Sequence, residues 1–139
     1  MDKTLLDTDI FSEIVKGKHV GVITKASDYY AKFGQYTISI LTVVEVTKGF
    51  HKVQRQAQLQ KFLEGLSEVE IFNLTVAPAN LAGRIYADLE SNGTPLGGAD
   101  PLIAAIALTE EMILTTGNLR HYQYLQKLGY PLKLDNWKC

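Results

Sequence analysis

Three acidic side chains, far apart in the sequence, stand where the chain is expected to pass from a strand or a loop into a helix. Asp7 ends a short apolar run, Glu45 follows a β-branched and aromatic run, and Asp100 begins a very apolar segment. At the carboxyl edge of a parallel sheet such junctions lie side by side. We therefore expect the carboxylates of Asp7, Glu45 and Asp100 to converge on one pocket.

Converging carboxylates favour a hard divalent cation, because like charges raise one another's pKa and a cation relieves the repulsion. Mg²⁺ and Mn²⁺ prefer oxygen ligands, and Mg²⁺ often uses only one or two protein carboxylates. Such an ion stabilises charge on a phosphoryl oxygen, so the trio suggests metal-assisted hydrolysis of phosphodiester bonds. Zinc is not expected, because the histidines lack ligand spacing and the chain has one cysteine, Cys139.

The same acids also have a simpler interpretation as helix caps, which the helix dipole favours. Asp9 is a candidate cap for a helix beginning at Ile10. Thr42 is a candidate cap for a later helix, with Glu45 in the capping-box position. Asp7 is harder to explain in this way, because a carboxylate closing a buried strand is costly unless something pairs with it. The residues alone leave both interpretations open.

Apolar runs and helical periodicities alternate along the chain. Strands are expected at 4–7, 36–40, 69–74, 112–116 and 131–134. Helices are expected at 10–16, 20–33, 42–53, 54–66, 77–92, 100–109 and 119–128. This alternation is typical of an α/β protein with a mostly parallel sheet and helices on both faces.

Composition limits the class of protein. The 139 residues fit one domain spanning 1–139. With 14 basic and 15 acidic residues the net charge is -1, which excludes nucleic-acid binding through overall positive charge but not a local basic face. The one cysteine forms no internal disulfide, and no apolar run is long enough for a signal peptide or a membrane span. We expect a cytoplasmic protein that does not enter a membrane.

A local basic segment begins directly after Glu45 and contains no acid between residues 48 and 61. It starts beside the expected pocket, where Lys48, Lys52 and Arg55 are candidates for following an RNA backbone. A solvated helix face is the alternative. The same region holds apolar residues expected either in the core or on a surface for a partner: Val53, Leu59 and Phe62.

Four segments carry the candidate residues in order along the chain. They are Leu5–Ile10, Ile38–Val46, Gly98–Ala107 and Leu114–Tyr122. These segments resemble the four motifs of the PIN domain family, in particular of the VapC-type toxin ribonucleases, and the closing Leu134–Trp137 fits the family's usual end. Each motif alone is weak, but together they span nearly the whole chain.

The resemblance implies a three-layer α/β/α fold with a parallel sheet and an endoribonuclease dependent on Mg²⁺ or Mn²⁺. Asp7 and Asp100 match the metal-binding aspartates. Glu45 matches the remaining acid and would orient or deprotonate the attacking water. Toxins of this type usually form homodimers and are held inactive by a cognate antitoxin protein, whose C-terminal segment covers the acidic cleft.

The chain departs from the family pattern at two places. A fourth acid is frequent in the last motif, where this chain has Asn118 and His121; we expect His121 to be an ordinary residue of a surface helix. Asp9 stands where asparagine is frequent and is a candidate outer partner of the site. The hydroxyls of Thr8 and Thr116 are candidates for holding the carboxylates or the phosphate.

Other functions fit parts of the pattern. Leu6–Asp9 also matches the Asp-x-Asp motif of a haloacid-dehalogenase-like phosphohydrolase, in which Asp7 is the nucleophile and Asp9 the acid and base. That fold needs a later lysine and a second acidic pair, and only Asp100 is a candidate. A catalytically degenerate PIN module that acts by protein contacts is a further alternative, as is a binding module in which the acids only cap helices.

Overall fold

Five short strands form the centre of the fold in the computed structural model, which describes residues 1–94 and 97–138. They are β1 Thr4–Leu6, β2 Thr37–Ser39, β3 Glu70–Phe72, β4 Ile113–Thr115 and β5 Leu134–Asp135. Their order across the sheet is β3-β2-β1-β4-β5, and every described pair is parallel. The predicted parallel sheet is confirmed. Pro95 and Leu96 of the loop before Asp100, and the single cysteine, Cys139, lie outside the described residues.

Helices connect the strands. In the described chain they are α1 Thr8–Lys16, α2 Val20–Phe33, α3 Ile40–Lys52, α4 Gln56–Gly65, α5 Val76–Ser91, α6 Asp100–Thr109 and α7 Leu119–Lys127, with a 3₁₀ turn at Leu66–Glu68. None of these helices has the length and apolarity needed to cross a bilayer.

Two apolar layers cover the sheet. Neighbouring residues of a strand point to opposite faces. Leu5 therefore packs with side chains of α5, α6 and α7, whereas Leu6 packs with those of α1 and α2 and with the buried Trp137. The predicted three-layer α/β/α fold is thus confirmed.

The caps of two helices differ from the predictions. Helix α3 begins at Ile40, because the hydroxyl of Ser39 accepts a hydrogen bond from the Thr42 N–H at 3.4 Å. Thr42 is therefore not a cap, and Glu45 lies in the second turn instead of the capping box. Likewise Asp7, not Asp9, caps α1. Serine, threonine and aspartate are all good N-caps, so residue type alone does not show which of two nearby candidates caps the helix.

The region of α3 and α4 decides two open alternatives and corrects the start of one helix. Leu59 is only 6% exposed and belongs to the core, whereas Val53 is 58% exposed. The segment 54–66, expected as one helix, instead begins its helix at Gln56, after Gln54 adopts a left-handed backbone with φ of 55°. The chain turns there, and α4 packs back against α3.

The strand order creates one topological switch point. From β1 the chain first adds β2 and β3 on one side, and later adds β4 and β5 on the other. Ligands of open α/β sheets bind in the crevice at the carboxyl ends of the strands where the order reverses. In this chain that crevice lies between the end of β1, followed by Asp7, and the end of β4, followed by Thr116.

Gly117, directly after this crevice, lies where three segments meet. A Cβ atom at this position would be 2.5 Å from Oδ2 of Asp9 and 2.8 Å from Cδ of Lys138. The Gly117 N–H donates a hydrogen bond to the same Oδ2 of Asp9 at 2.9 Å. Glycine is thus required here for close approach of the chain.

We expect Gly117→Ala to lower the free energy of unfolding by about 1–3 kcal/mol, because the methyl group has to displace Asp9 or Lys138. Gly83→Ala is the matched control: it lies in the exposed face of α5 with nothing near its Cβ, so alanine should stabilise the helix by up to about 1 kcal/mol. Urea unfolding of both variants measures the effect. Equal and small changes would contradict the close packing at Gly117.

Candidate active site

Asp7 is the central side chain of the crevice and is only 5% exposed. Its Oδ1 accepts a hydrogen bond from the Thr8 N–H at 2.9 Å, and its Oδ2 accepts one from the Thr116 hydroxyl at 2.8 Å. The Thr116 hydroxyl oxygen in turn accepts the Asn118 N–H at 2.9 Å. Residues from the end of β1 and the end of β4 therefore hold this carboxylate in a fixed orientation.

Glu45 is linked to Asp7 through Thr8. The Thr8 hydroxyl donates to Oε1 of Glu45 at 2.6 Å, and the hydroxyls of Thr8 and Thr42 are 2.9 Å apart. Because a carboxylate only accepts, Thr8 donates to Glu45 and Thr42 donates to Thr8. Thr42 is fully buried. Its place in this series of hydrogen bonds was not predicted, because from the sequence it was a candidate helix cap.

Asp9 is close to the crevice but engaged elsewhere. Its Oδ1 accepts the Ile10 N–H at 2.8 Å, and its Oδ2 accepts the Gly117 N–H at 2.9 Å. The ammonium group of Lys138 lies 3.6 Å from the same Oδ2. Asp9 therefore ties α1 to the loop after β4 and to the end of the chain.

Asp100, at the start of α6, meets α7 across the crevice. Its Oδ2 is 3.0 Å from Nδ1 of His121, and that nitrogen is 2.8 Å from the amide nitrogen of Asn118. One ring nitrogen either donates or accepts, so it serves only one of these partners at a time. His121 is exposed as expected of a surface helix, but it also contacts Asp100, which the sequence analysis did not foresee.

Burial and neighbouring negative charge dominate the electrostatics of Asp7. The pKa of this carboxyl is raised from 3.8 to about 6. Burial is the main cause, and the charges of Asp9 and Asp100 act in the same direction, whereas the hydrogen bonds from Thr116 and Thr8 lower the pKa. Asp9 and Asp100 are thus both within electrostatic range of Asp7. A nearby cation stabilises the charged form of a carboxylate in this position.

Glu45 is linked to Asp7 through Thr8, and Asp100 lies close enough to act on the pKa of Asp7. The convergence of all three on one pocket stays a prediction, and the trio is not a complete ligand shell. In 1–94 and 97–138 no three acidic, histidine or cysteine side chains are close enough to enclose a metal ion by themselves. The donors at the crevice are carboxylate and hydroxyl oxygens. This set fits Mg²⁺ or Mn²⁺, because Mg²⁺ takes one or two carboxylates and completes its shell with water.

The predicted RNA-binding residues lie on and just after α3. Lys48, Lys52 and Arg55 are all exposed, and no ion pair engages them within the described chain. Arg55 also lines a groove of about 630 Å³ that extends to Glu45. The basic segment therefore begins one helical turn after Glu45 and reaches the groove that Glu45 also lines.

Comparison with known proteins agrees with this geometry. Residues 4–125 match the family model of the PIN domain. The tRNA(fMet)-specific endonuclease VapC of Shigella flexneri is 30% identical over 138 residues, which cover 99% of each chain. The ribonuclease VapC2 of Haemophilus influenzae is 28% identical over the same share of both chains.

The fold is also shared with solved structures. The crystal structure of VapBC2 from Rickettsia felis bound to a promoter DNA fragment contains a chain with a TM-score of 0.76 and 26% identity, covering 98% of this chain and 99% of that one. The shared fold overturns the haloacid-dehalogenase alternative. That alternative also needs Asp9 as acid and base, whereas both oxygens of Asp9 accept backbone hydrogen bonds. The chain belongs to the PIN domain family and, within it, to the VapC-type toxin ribonucleases.

Proposed function

We propose that this chain is an endoribonuclease dependent on Mg²⁺ or Mn²⁺, in which Asp7 and Asp100 hold the metal and Glu45 acts on the attacking water. The observation that supports it most is the buried carboxylate of Asp7 at the switch point, with a pKa raised to about 6 beside two other acids. Such a group is costly in the protein alone and favourable beside a cation. When bound, the ion would stabilise negative charge on the phosphoryl oxygens.

Glu45 is the candidate general base. Its Oε1 accepts the Thr8 hydroxyl at 2.6 Å, which fixes the carboxylate and leaves Oε2 to orient a water molecule or take its proton. Thr42 fixes Thr8 in turn through the contact between their hydroxyls. A water positioned in this way would form a bond to phosphorus as Glu45 takes its proton, while the bond from phosphorus to the opposite ribose oxygen breaks and that oxygen leaves as a hydroxyl, protonated from solvent.

The supporting residues have separate tasks in this proposal. Thr116 orients Asp7, and Asn118 orients Thr116 through its N–H and contacts His121 through its side chain. Asp9 has a structural role, since its hydrogen bonds hold α1 against the loop after β4. The missing fourth acid of the family is thus replaced by neutral or basic groups around Asp100.

The groove beside Glu45 is the surface we propose for an antitoxin segment. Its lining is mainly apolar and includes Phe11, Phe50 and Phe62, together with the exposed basic residues Lys16 and Arg55. A helix with an apolar face and acidic flanks suits such a groove. The Rickettsia felis structure is of a VapBC complex, which supports a partner of this kind. A homodimer and a cytoplasmic location remain predictions.

Removing the charge of Asp7 should stabilise the metal-free protein. Because the folded pKa of about 6 exceeds the ordinary value of 3.8, the wild type loses stability as pH rises between these values and does not regain it above them. Asp7→Asn should therefore raise the free energy of unfolding at pH 8 by up to about 3 kcal/mol. At pH 3.5 the two proteins should differ little.

Denaturant unfolding in EDTA measures this difference, with Asp28→Asn, on the exposed face of α2, as the control. Adding Mg²⁺ at pH 8 should stabilise the wild type and the control more than Asp7→Asn. An Asp7→Asn variant that is less stable than the wild type at pH 8 would contradict a strained carboxylate.

Substitution of the other two acids should remove activity without removing the fold. We expect Glu45→Gln and Asp100→Asn each to lower kcat/KM for a single-stranded RNA by at least about 100-fold in Mg²⁺ or Mn²⁺. Asp28→Asn should cleave like the wild type. Undiminished cleavage by either active-site variant defeats the assignment, and a correctly folded wild type that cleaves no RNA favours the degenerate PIN module.

The basic segment should carry part of the salt dependence of RNA binding. In an Asp100→Asn background, which prevents cleavage, the triple alanine variant at Lys48, Lys52 and Arg55 should reduce the slope of log Kd against log salt by up to about 2, or roughly 0.7 per lost phosphate contact. Fluorescence anisotropy at several salt concentrations measures it. The control removes three exposed lysines elsewhere: Lys18, Lys25 and Lys133. Equal slopes for both triple variants would exclude the segment from RNA binding.

A further inference from the structure

One buried polar atom of the described chain has no partner: the hydroxyl oxygen of Tyr122. Tyr122 lies on α7, its side chain is 0% exposed, and its ring packs in the core between the sheet and the helices α5, α6 and α7. Buried hydroxyls are nearly always hydrogen-bonded, because leaving one unpaired is costly. In the sequence, Tyr122 is the last residue of the fourth motif, Leu114–Tyr122.

The hydroxyl of Tyr122 faces the site. A tyrosine hydroxyl is a hydrogen-bond donor. Besides burial, the carboxylates of Asp7 and Asp100 raise the pKa of this phenol, through their charge and as acceptors, so both lie close to the hydroxyl. Although both carboxylates are near, no oxygen or nitrogen of the described residues meets the distance and angle of a hydrogen bond with it. A phenolic donor thus lies near two carboxylate acceptors but does not reach hydrogen-bond geometry with either.

The opposite layer of the core contains a useful contrast. Tyr29 is equally buried, but its hydroxyl is 2.8 Å from the hydroxyl of Thr37 and donates to the Thr4 carbonyl at 3.3 Å. The fold therefore satisfies a buried tyrosine where the hydroxyl has a structural role. A phenylalanine at position 122 would fill the same space without an unpaired hydroxyl, so the function of this hydroxyl has to be sought at the carboxylates.

We propose that Tyr122 is a positioning residue for the carboxylates of Asp7 and Asp100, whose hydroxyl acquires its hydrogen bond when these side chains bind the divalent cation. The inference rests on the proposed metal-dependent function. Both oxygens of Asp7 already accept hydrogen bonds, whereas Oδ1 of Asp100 accepts none from the described residues, so Asp100 offers the open acceptor. Donation to that carboxylate fixes its orientation toward the ion.

The test compares Tyr122→Phe with Tyr29→Phe in the full chain purified without antitoxin. Isothermal titration with MgCl₂ gives the Kd for Mg²⁺, and thermal unfolding in EDTA gives the stability of the metal-free protein. We expect Tyr122→Phe to raise the Kd for Mg²⁺ by about 10-fold or more, as loss of an outer partner of a metal ligand does. Its Tm in EDTA should stay the same or rise, because no existing hydrogen bond is lost.

Tyr29→Phe should show the opposite pattern, with a lower Tm in EDTA and an unchanged Kd. A purely structural Tyr122 would lower the Tm without changing the Kd, and that result, or a variant that fails to fold, overturns the inference. So does a Kd within about twofold of the wild type, since outer partners contribute more. If the wild type itself binds no Mg²⁺, the proposed metal dependence fails first and the inference fails with it.

Discussion

The burial of one carboxylate, that of Asp7, is the constraint on which the rest of the site depends. It ends the central strand β1, and only 5% of it is exposed. Two threonines make the contacts. The Thr116 hydroxyl and the Thr8 N–H donate to Asp7, and the Thr8 hydroxyl donates to Glu45. Asp7 and Glu45 therefore belong to one connected hydrogen-bond network, in which Thr8 contacts Asp7 through its N–H and Glu45 through its hydroxyl.

Much of the fold could be predicted from the sequence because local patterns and tertiary packing agree. The helices at Val20–Phe33 and Asp100–Thr109 were predicted to the residue, each with a clear apolar pattern and a clear boundary. The predicted caps of α1 and α3 were wrong because two good capping residues lie close together at each helix start. The end of the preceding strand determines which of the two caps the helix. Leu59 was left undecided because burial depends on how α4 turns back, which no local pattern encodes.

The site shows the same division. The link between Asp7 and Glu45 could be predicted, because each follows a strand and strand ends of a parallel sheet share an edge. That Asp100 joins them in one pocket stays a prediction. The contact of His121 with Asp100 spans 21 residues, and the unpaired hydroxyl of Tyr122 depends on how α7 packs against α6. Such contacts follow from helix rotation and distance, so they are not visible in residue type or spacing. A glycine directly after a strand, as at Gly117, is visible in the sequence. Its close contact with Lys138 is not, because α7 and β5 lie between the two residues along the chain.

The central position of β1 has a consequence for how the protein is made. β1 pairs with β4, and the hydrogen bond between Asp7 and Thr116 joins residues 109 positions apart. Pairings this distant form slowly and only after the intervening chain is available. An N-terminal portion still emerging from the ribosome has no Asp100 and no Thr116 beside Asp7. The crevice around Asp7 therefore cannot form in a nascent chain until nearly all of the polypeptide has been synthesised and has folded.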